Sequence, residues 1–177
     1  MKKQKAYKFR LYPNFEQRIF FEKTFGCSRF IWNQMLADRI AHYEKTGEIL
    51  KNTPAQYKKD FPWLKEVDSL ALCNVRLNMN KAYKSFFQSG FGFPKFKSKR
   101  AAQSYKTNNQ NGTIALLDGK VKLPKIGWVK VKAHRQPKGL IKSATIQKRQ
   151  QGSISFLSFV KRKFFLYLRP ILILELI

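Results

Sequence analysis

The hydrophobic period of this sequence changes once, near Lys95, and that change limits the chain to a mixed α+β architecture. Before it, Leu72, Val75, Met79, Ala82 and Phe86 recur at steps of three and four, which makes one apolar core stripe along a helix. Val67-Asp68-Ser69 supplies capping side chains where that helix begins, and Gly90-Phe91-Gly92-Phe93-Pro94 ends it. After Lys95, short alternating runs are separated by Asn111-Gly112, Asp118-Gly119, Lys125-Ile126-Gly127 and Pro137-Lys138-Gly139, the pattern of a small antiparallel sheet or barrel made of hairpins. Val121, Leu123, Trp128, Val129, Val131, Ile141 and Ile146 are the expected inner positions. Lys120, Lys122, Lys130, Lys132 and Lys142 project outward.

Upstream, Ala6 to Tyr12 alternate like a strand, with Tyr7, Phe9 and Leu11 on one face and Lys8, Arg10 and Tyr12 on the other. Pro13-Asn14 breaks that strand and opens a helix expected to run to about Phe25 and stop at Gly26. A second helix then runs from near Ser28 to Tyr43, closed by Gly47. Two helices around a glycine connection have the shape of a helix-turn-helix, which many DNA binders share; a helical hairpin inside a bundle gives the same pattern. A short helical piece is expected around Ala55 to Lys59. The order is therefore strand, helical insert, sheet, with the first strand joining the later sheet.

Charge decides the class of partner. The chain carries 36 Lys+Arg against 10 Asp+Glu, a net charge of +26, with 44% hydrophobic residues. The apolar content supports a real core and excludes a disordered basic tail. Such a charge on a compact body is self-repelling, and phosphates reward each cation through counterion release. Residues 95 to 150 hold 15 Lys+Arg and a single carboxylate, Asp118. Cations interleave with aromatics in Tyr7-Lys8-Phe9-Arg10-Leu11-Tyr12 and again in Phe93-Pro94-Lys95-Phe96-Lys97-Ser98-Lys99-Arg100, where exposed rings can stack on unpaired bases.

A membrane fits less well. The apolar stretch Phe164 to Ile177 is 14 residues long and includes Arg169, Pro170 and Glu175, whereas a span needs about 20 apolar residues. No apolar segment of a signal peptide follows the basic start, so a cytoplasmic, nucleoid-associated location is expected. Cys27 and Cys73 exclude a disulfide framework and a four-cysteine zinc site, and read as reduced core residues. His42 and His134 are far apart, no strand carries paired carboxylates, and no glycine-rich phosphate loop is present. No catalytic residue, metal site, cofactor or small-molecule substrate is assigned. An intact nuclease working with the chain's own residues, or a structural RNA-binding protein, are the alternatives to a dedicated nucleic-acid binder without catalysis.

The residues also carry a resemblance. Lys5 to Asn14, Phe25-Gly26-Cys27-Ser28-Arg29-Phe30-Ile31-Trp32-Asn33, Lys81 to Phe87, Gly92 to Arg100, Ser104-Tyr105-Lys106-Thr107 and Leu123 to Lys130 together closely resemble, in order, the start of TnpB/OrfB proteins. These are transposon-encoded, RNA-guided DNA endonucleases. The resemblance implies a wedge-type, OB-like barrel: its first strand in residues 1–12, a helical recognition insert in 13–92, and the rest of the barrel in 93–160. It implies RNA (a transposon-end guide) and double-stranded DNA as partners. Lys5, Lys8, Arg10, Arg29, Asn33, Lys95, Lys97, Lys99, Arg100, Lys106, Lys125, Trp128, Lys130 and Lys132 are the expected nucleic-acid contacts. Ser69, Cys73, Gln110 and Asn111 are expected beside the short DNA motif that flanks a target. After Gln151-Gly152 nothing resembles the family's RuvC-like nuclease motif or its zinc ribbon, so Mg and Zn belong to domains expected to be missing. Residues 161–177 read as an aberrant apolar tail, and the chain is expected to be truncated and not to cut DNA.

Overall fold

The structure, a computed structural model, describes residues 2–135, 137, 139–148 and 152–163. Strand β1 (Lys2–Tyr12) leads into helix α1 (Phe15–Thr46), two short 3-10 turns (Gln56–Lys58 and Pro62–Lys65) and helix α2 (Ser69–Ser89). Six strands follow: β2 (Ser104–Asn108), β3 (Ala115–Leu117), β4 (Lys120–Leu123), β5 (Gly127–Lys132), β6 (Leu140–Lys148) and β7 (Ile154–Lys163). All seven strands form one antiparallel sheet in the order β2-β6-β7-β1-β5-β4-β3. The first strand does join the later ones, and it lies between β7 and β5 (Phe9 opposite Phe156, Leu11 opposite Val131).

Two sequence expectations are corrected here. The sheet is open rather than a closed barrel. Its terminal strand β2 is covered by α2 and its other terminal strand, β3, has three residues, so the two ends offer little ladder for closure. The expected helix-turn-helix is a single helix of 32 residues that runs through Gly26. Packing on both sides of the glycine overrides its turn preference. Phe21 and Phe25 enter the sheet core with Tyr7, Phe9, Tyr105, Ile146 and Phe156. Ile31, Met35 and Leu36 enter a second core with Leu64, Val67, Leu72 and Met79 from the helical insert. Breaking α1 at Gly26 would separate two apolar surfaces that one continuous helix buries together.

The ends of α1 follow local chemistry. Asn14 and Gln17 form a reciprocal capping box, with the Gln17 amide donating to Asn14 Oδ1 at 2.8 Å and the Asn14 amide donating to Gln17 Oε1 at 3.1 Å. Gly47, at φ 73°, closes the helix in the left-handed conformation that glycine adopts without penalty. Two inner assignments also change. Trp128 precedes buried Val129 on β5, so the pleat turns its ring to the outer face, 43% exposed. Cys73 is exposed, because Leu72 and Val75 take the buried positions of α2, whereas Cys27 is buried. Lys163 ends β7, and the apolar segment 164–177 lies outside the described residues.

Candidate nucleic-acid interface

Alternation in β1, β4 and β5 sends one side of each strand to the core and the other to solvent. Phe9, Leu11, Val121, Leu123, Val129 and Val131 are buried. The opposite side carries Lys8, Arg10 and Tyr12 on β1, Lys120 and Lys122 on β4, and Trp128, Lys130 and Lys132 on β5, all exposed. Register then places cations directly opposite one another. Arg10 faces Lys132, Lys120 faces Lys130, and Trp128 stands between strands opposite Lys122. Tyr12, opposite Lys130, lies under the Arg10 guanidinium at 5.5 Å. Like charges facing each other across a ladder are unfavourable, so this face is poised for an anion. Among the described residues these cations have no carboxylate partner; the ion pairs seen join Lys23 to Glu66 (2.9 Å) and Lys148 to Glu22 (2.5 Å) elsewhere.

A second basic region lies where α1 meets the segment after α2. That segment, residues 90–103, has neither helix nor strand, and α1 holds its backbone in place. The Trp32 indole N–H donates to the Lys95 carbonyl at 2.9 Å. Asn33 accepts from the Lys97 amide at 2.8 Å and donates to the Lys97 carbonyl at 3.0 Å. Arg29 donates to Gln103 Oε1 at 2.8 Å, and Gln103 donates in turn to the carbonyls of Lys99 and Ala101. The Lys97 ammonium rests 4.0 Å from the centre of the Trp32 ring, where desolvation pulls its pKa below the ordinary lysine value. Beside this segment a cleft of about 190 Å³ is lined by Arg29, Asn74, Asn78, Lys97 and Lys106 among others, with no carboxylate.

The expected contacts therefore divide. Lys8, Arg10, Trp128, Lys130 and Lys132 share the sheet face. Arg29, Lys97 and half-buried Lys106 line the cleft, and exposed Lys95, Lys99 and Arg100 ride on the pinned segment. Asn33 has a positioning role, because its amide is engaged with the Lys97 backbone. Lys5 is exposed at the end of the Tyr7 side of β1, 5.5 Å from the Tyr7 ring centre. Lys125 sits in the β4–β5 turn at φ 69° and donates to the Lys65 carbonyl at 3.4 Å. Sequence reasoning left out Tyr12, Lys120 and Lys122, although the same alternation that located Lys130 and Lys132 marks them.

Asp68 organises the remaining group. It caps α2 by accepting from the Leu70 amide at 3.0 Å, and it accepts a short hydrogen bond from the Thr107 hydroxyl near the end of β2. The helix start, with exposed Ser69 and Cys73, is thereby tied to the strand from which the Gln110–Asn111 turn leaves. Lys58 donates to the Ser69 hydroxyl at 2.8 Å. Among the described residues no three His, Cys, Asp or Glu side chains converge as a metal site, and no helix is long and apolar enough to cross a membrane.

Comparison with known proteins adds identity to this geometry. A helix-turn-helix domain model of the OrfB type matches residues 1–48. A protein of Escherichia coli (strain K12) named as an RNA-guided DNA endonuclease, InsQ, is 28% identical over 159 residues, which is 82% of this chain and 38% of that protein. One from Streptomyces pristinaespiralis, also named as an RNA-guided DNA endonuclease, is 27% identical over 108 residues, 57% of this chain and 27% of its own length. The virulence protein VsdF of Salmonella dublin is 31% identical over 111 residues, 54% of this chain and 93% of VsdF. The chain belongs to the TnpB/OrfB family. This TnpB/OrfB protein spans well under half the length of its two endonuclease-named relatives. Within the stretch matched as a helix-turn-helix, residues 2–48 are here one strand, one long helix and the helix-flanking residues.

Proposed function

We propose that this TnpB/OrfB protein grips the structured guide RNA of its transposon through the β1–β4–β5 face and inspects duplex DNA at the Asp68 corner. It is a binder associated with transposition. The observation that carries the reading is the facing of Arg10 with Lys132 and of Lys120 with Lys130, flanked by the exposed rings of Tyr12 and Trp128. That arrangement is unfavourable alone and favourable against phosphates, and its rings offer stacking surfaces for bases. At the corner, Gln110 and Asn111 supply the amide groups that read base edges.

We further infer that the chain binds without cutting. Its carboxylates at Asp38 and Asp68 are engaged by Tyr57 and Thr107, and those at Glu22 and Glu66 are held in ion pairs. On this reading binding needs no metal, so chelation with EDTA leaves affinity unchanged. A gel-shift titration tests the function: RNA transcribed from the transposon's right end against unrelated structured RNA, over a range of salt. Selective, salt-sensitive binding to the transposon RNA is expected. Equal binding to both RNAs would reduce the protein to a generic polycation. Metal-dependent cleavage of a DNA target by the purified chain would overturn the binding-only role.

A further inference from the structure

The apolar stripe of α2 does not end in the core. Leu72 and Met79 are fully buried, but Phe86 is only half-buried and Phe87 is 65% exposed. The segment that follows adds Phe91, Phe93 and Phe96, exposed by 67%, 43% and 58%. Tyr83, Phe86, Phe87 and Phe93 form an open cluster, and Phe91 and Phe96 flank Phe93 along the chain. Phe86 meets Phe93 edge-on at 5.4 Å and Phe87 at 5.0 Å, and Tyr83 meets Phe93 edge-on at 5.6 Å. An aromatic surface this open marks a binding site.

Charge selects its occupant. No Asp or Glu occurs anywhere from Ser69 to Leu117, whereas Lys81, Lys84, Lys95, Lys99 and Arg100 are exposed around or between the rings. Protein interfaces are depleted in lysine at their centres, so a surface that alternates Phe with Lys suits a partner carrying both planar apolar faces and negative charge. The backbone beneath is already ordered, because Trp32, Asn33 and Gln103 pin Lys95, Lys97, Lys99 and Ala101. A pinned track loses less conformational freedom on binding than a loose loop.

From this we infer that Phe87, Phe91 and Phe96, with Lys84, Lys95 and Lys99, form a stacking track for an unpaired stretch of single-stranded nucleic acid. The track is separate from the β1–β4–β5 face and rests on the nucleic-acid reading above. Bases stack on the rings and phosphates meet the lysines. Phenylalanine has no polar edge, so the track is tolerant of base sequence.

The test compares the full chain with Phe87→Ala/Phe91→Ala/Phe96→Ala and with the matching triple leucine variant. The probes are an unstructured polypyrimidine RNA, a blunt RNA duplex of equal length, and anionic phosphatidylserine vesicles. The alanine variant is expected to bind the single strand at least roughly ten-fold more weakly, as loss of ring stacking predicts, with the salt slope unchanged. Duplex binding should be preserved, which also shows that the variant is folded. The leucine variant, which keeps apolar area and loses the π face, should behave like the alanine variant. Leucine restoring full affinity would identify a generic apolar docking surface and overturn the track. So would loss of vesicle binding with RNA affinity unchanged. A parent chain that binds neither RNA would instead overturn the broader nucleic-acid reading, and the track with it.

Discussion

Asp68 serves two elements at once, so its loss is felt in both. Its carboxylate caps α2 and receives the hydroxyl of Thr107, itself 1% exposed. Replacing it with alanine removes the cap and leaves a buried hydroxyl without a partner. Asp68→Ala is expected to destabilise the fold by about 2–3 kcal/mol, read from urea denaturation. Asp68→Asn keeps an acceptor for the Leu70 amide and turns an NH2 donor towards the Thr107 hydroxyl oxygen, so it should recover most of the loss. Cysteine chemistry separates two residues that looked alike in the sequence. Burial pushes the Cys27 thiol up to about 11, so near neutral pH almost none of it is thiolate. Mass spectrometry after iodoacetamide treatment at neutral pH should find one adduct, on exposed Cys73. Cys27 should become reactive only as pH approaches 11 or the protein unfolds. Rapid modification of Cys27 at neutral pH would show that α1 opens locally. Tyr57 is shifted in the same direction, first by burial and then by its bond to Asp38, and its hydroxyl stays protonated as the donor.

At the scale of elements, α1 makes a prediction that a helix-turn-helix would reverse. Gly26 has no left-handed backbone angle, and a Cβ added there meets nothing within 4 Å. Gly26→Ala should therefore stabilise the protein by about 0.5–1 kcal/mol and raise its melting temperature by a few degrees. A fall in stability would mean that the chain turns at this position. Strand content, the opening of α1 at Asn14 and the closing role of Gly47 were legible before the structure, because each depends on neighbours within a few residues. The continuity of α1 was not, because it depends on Phe25 and Ile31 finding partners far along the chain in different cores. The open edge of the sheet escaped for a similar reason: a turn pattern announces hairpins but says nothing of the helix that covers β2. On the interface, alternation located Lys130 and Lys132. Nothing local announced that Asn33 would fasten the Lys97 backbone across 64 positions of sequence.

For the molecule as a whole, stability and binding should pull against each other on the sheet face. Lys130→Glu places an acid opposite Lys120 and next to Lys132 on the same strand face, easing the repulsion in the free protein. It should raise the melting temperature while weakening RNA binding and flattening its salt dependence, because every phosphate that a cation neutralises adds about one to the slope. Both changes in the same direction would show that the face is structural. The sheet also has a history written into its order. Strand β1 sits at its middle, yet its partners are β7 and β5, so Leu11 must wait for Ile154 to be synthesised. At ribosomal speeds of about 5–20 residues per second, that wait is on the order of ten seconds or more. Until β5 and then β7 emerge, the segment is an unpaired strand with Tyr7, Phe9 and Leu11 uncovered. Lys8 and Arg10, which alternate with those apolar side chains, keep such a strand apart from its copies on neighbouring ribosomes. The same cations proposed above as RNA contacts would thus guard the nascent chain first.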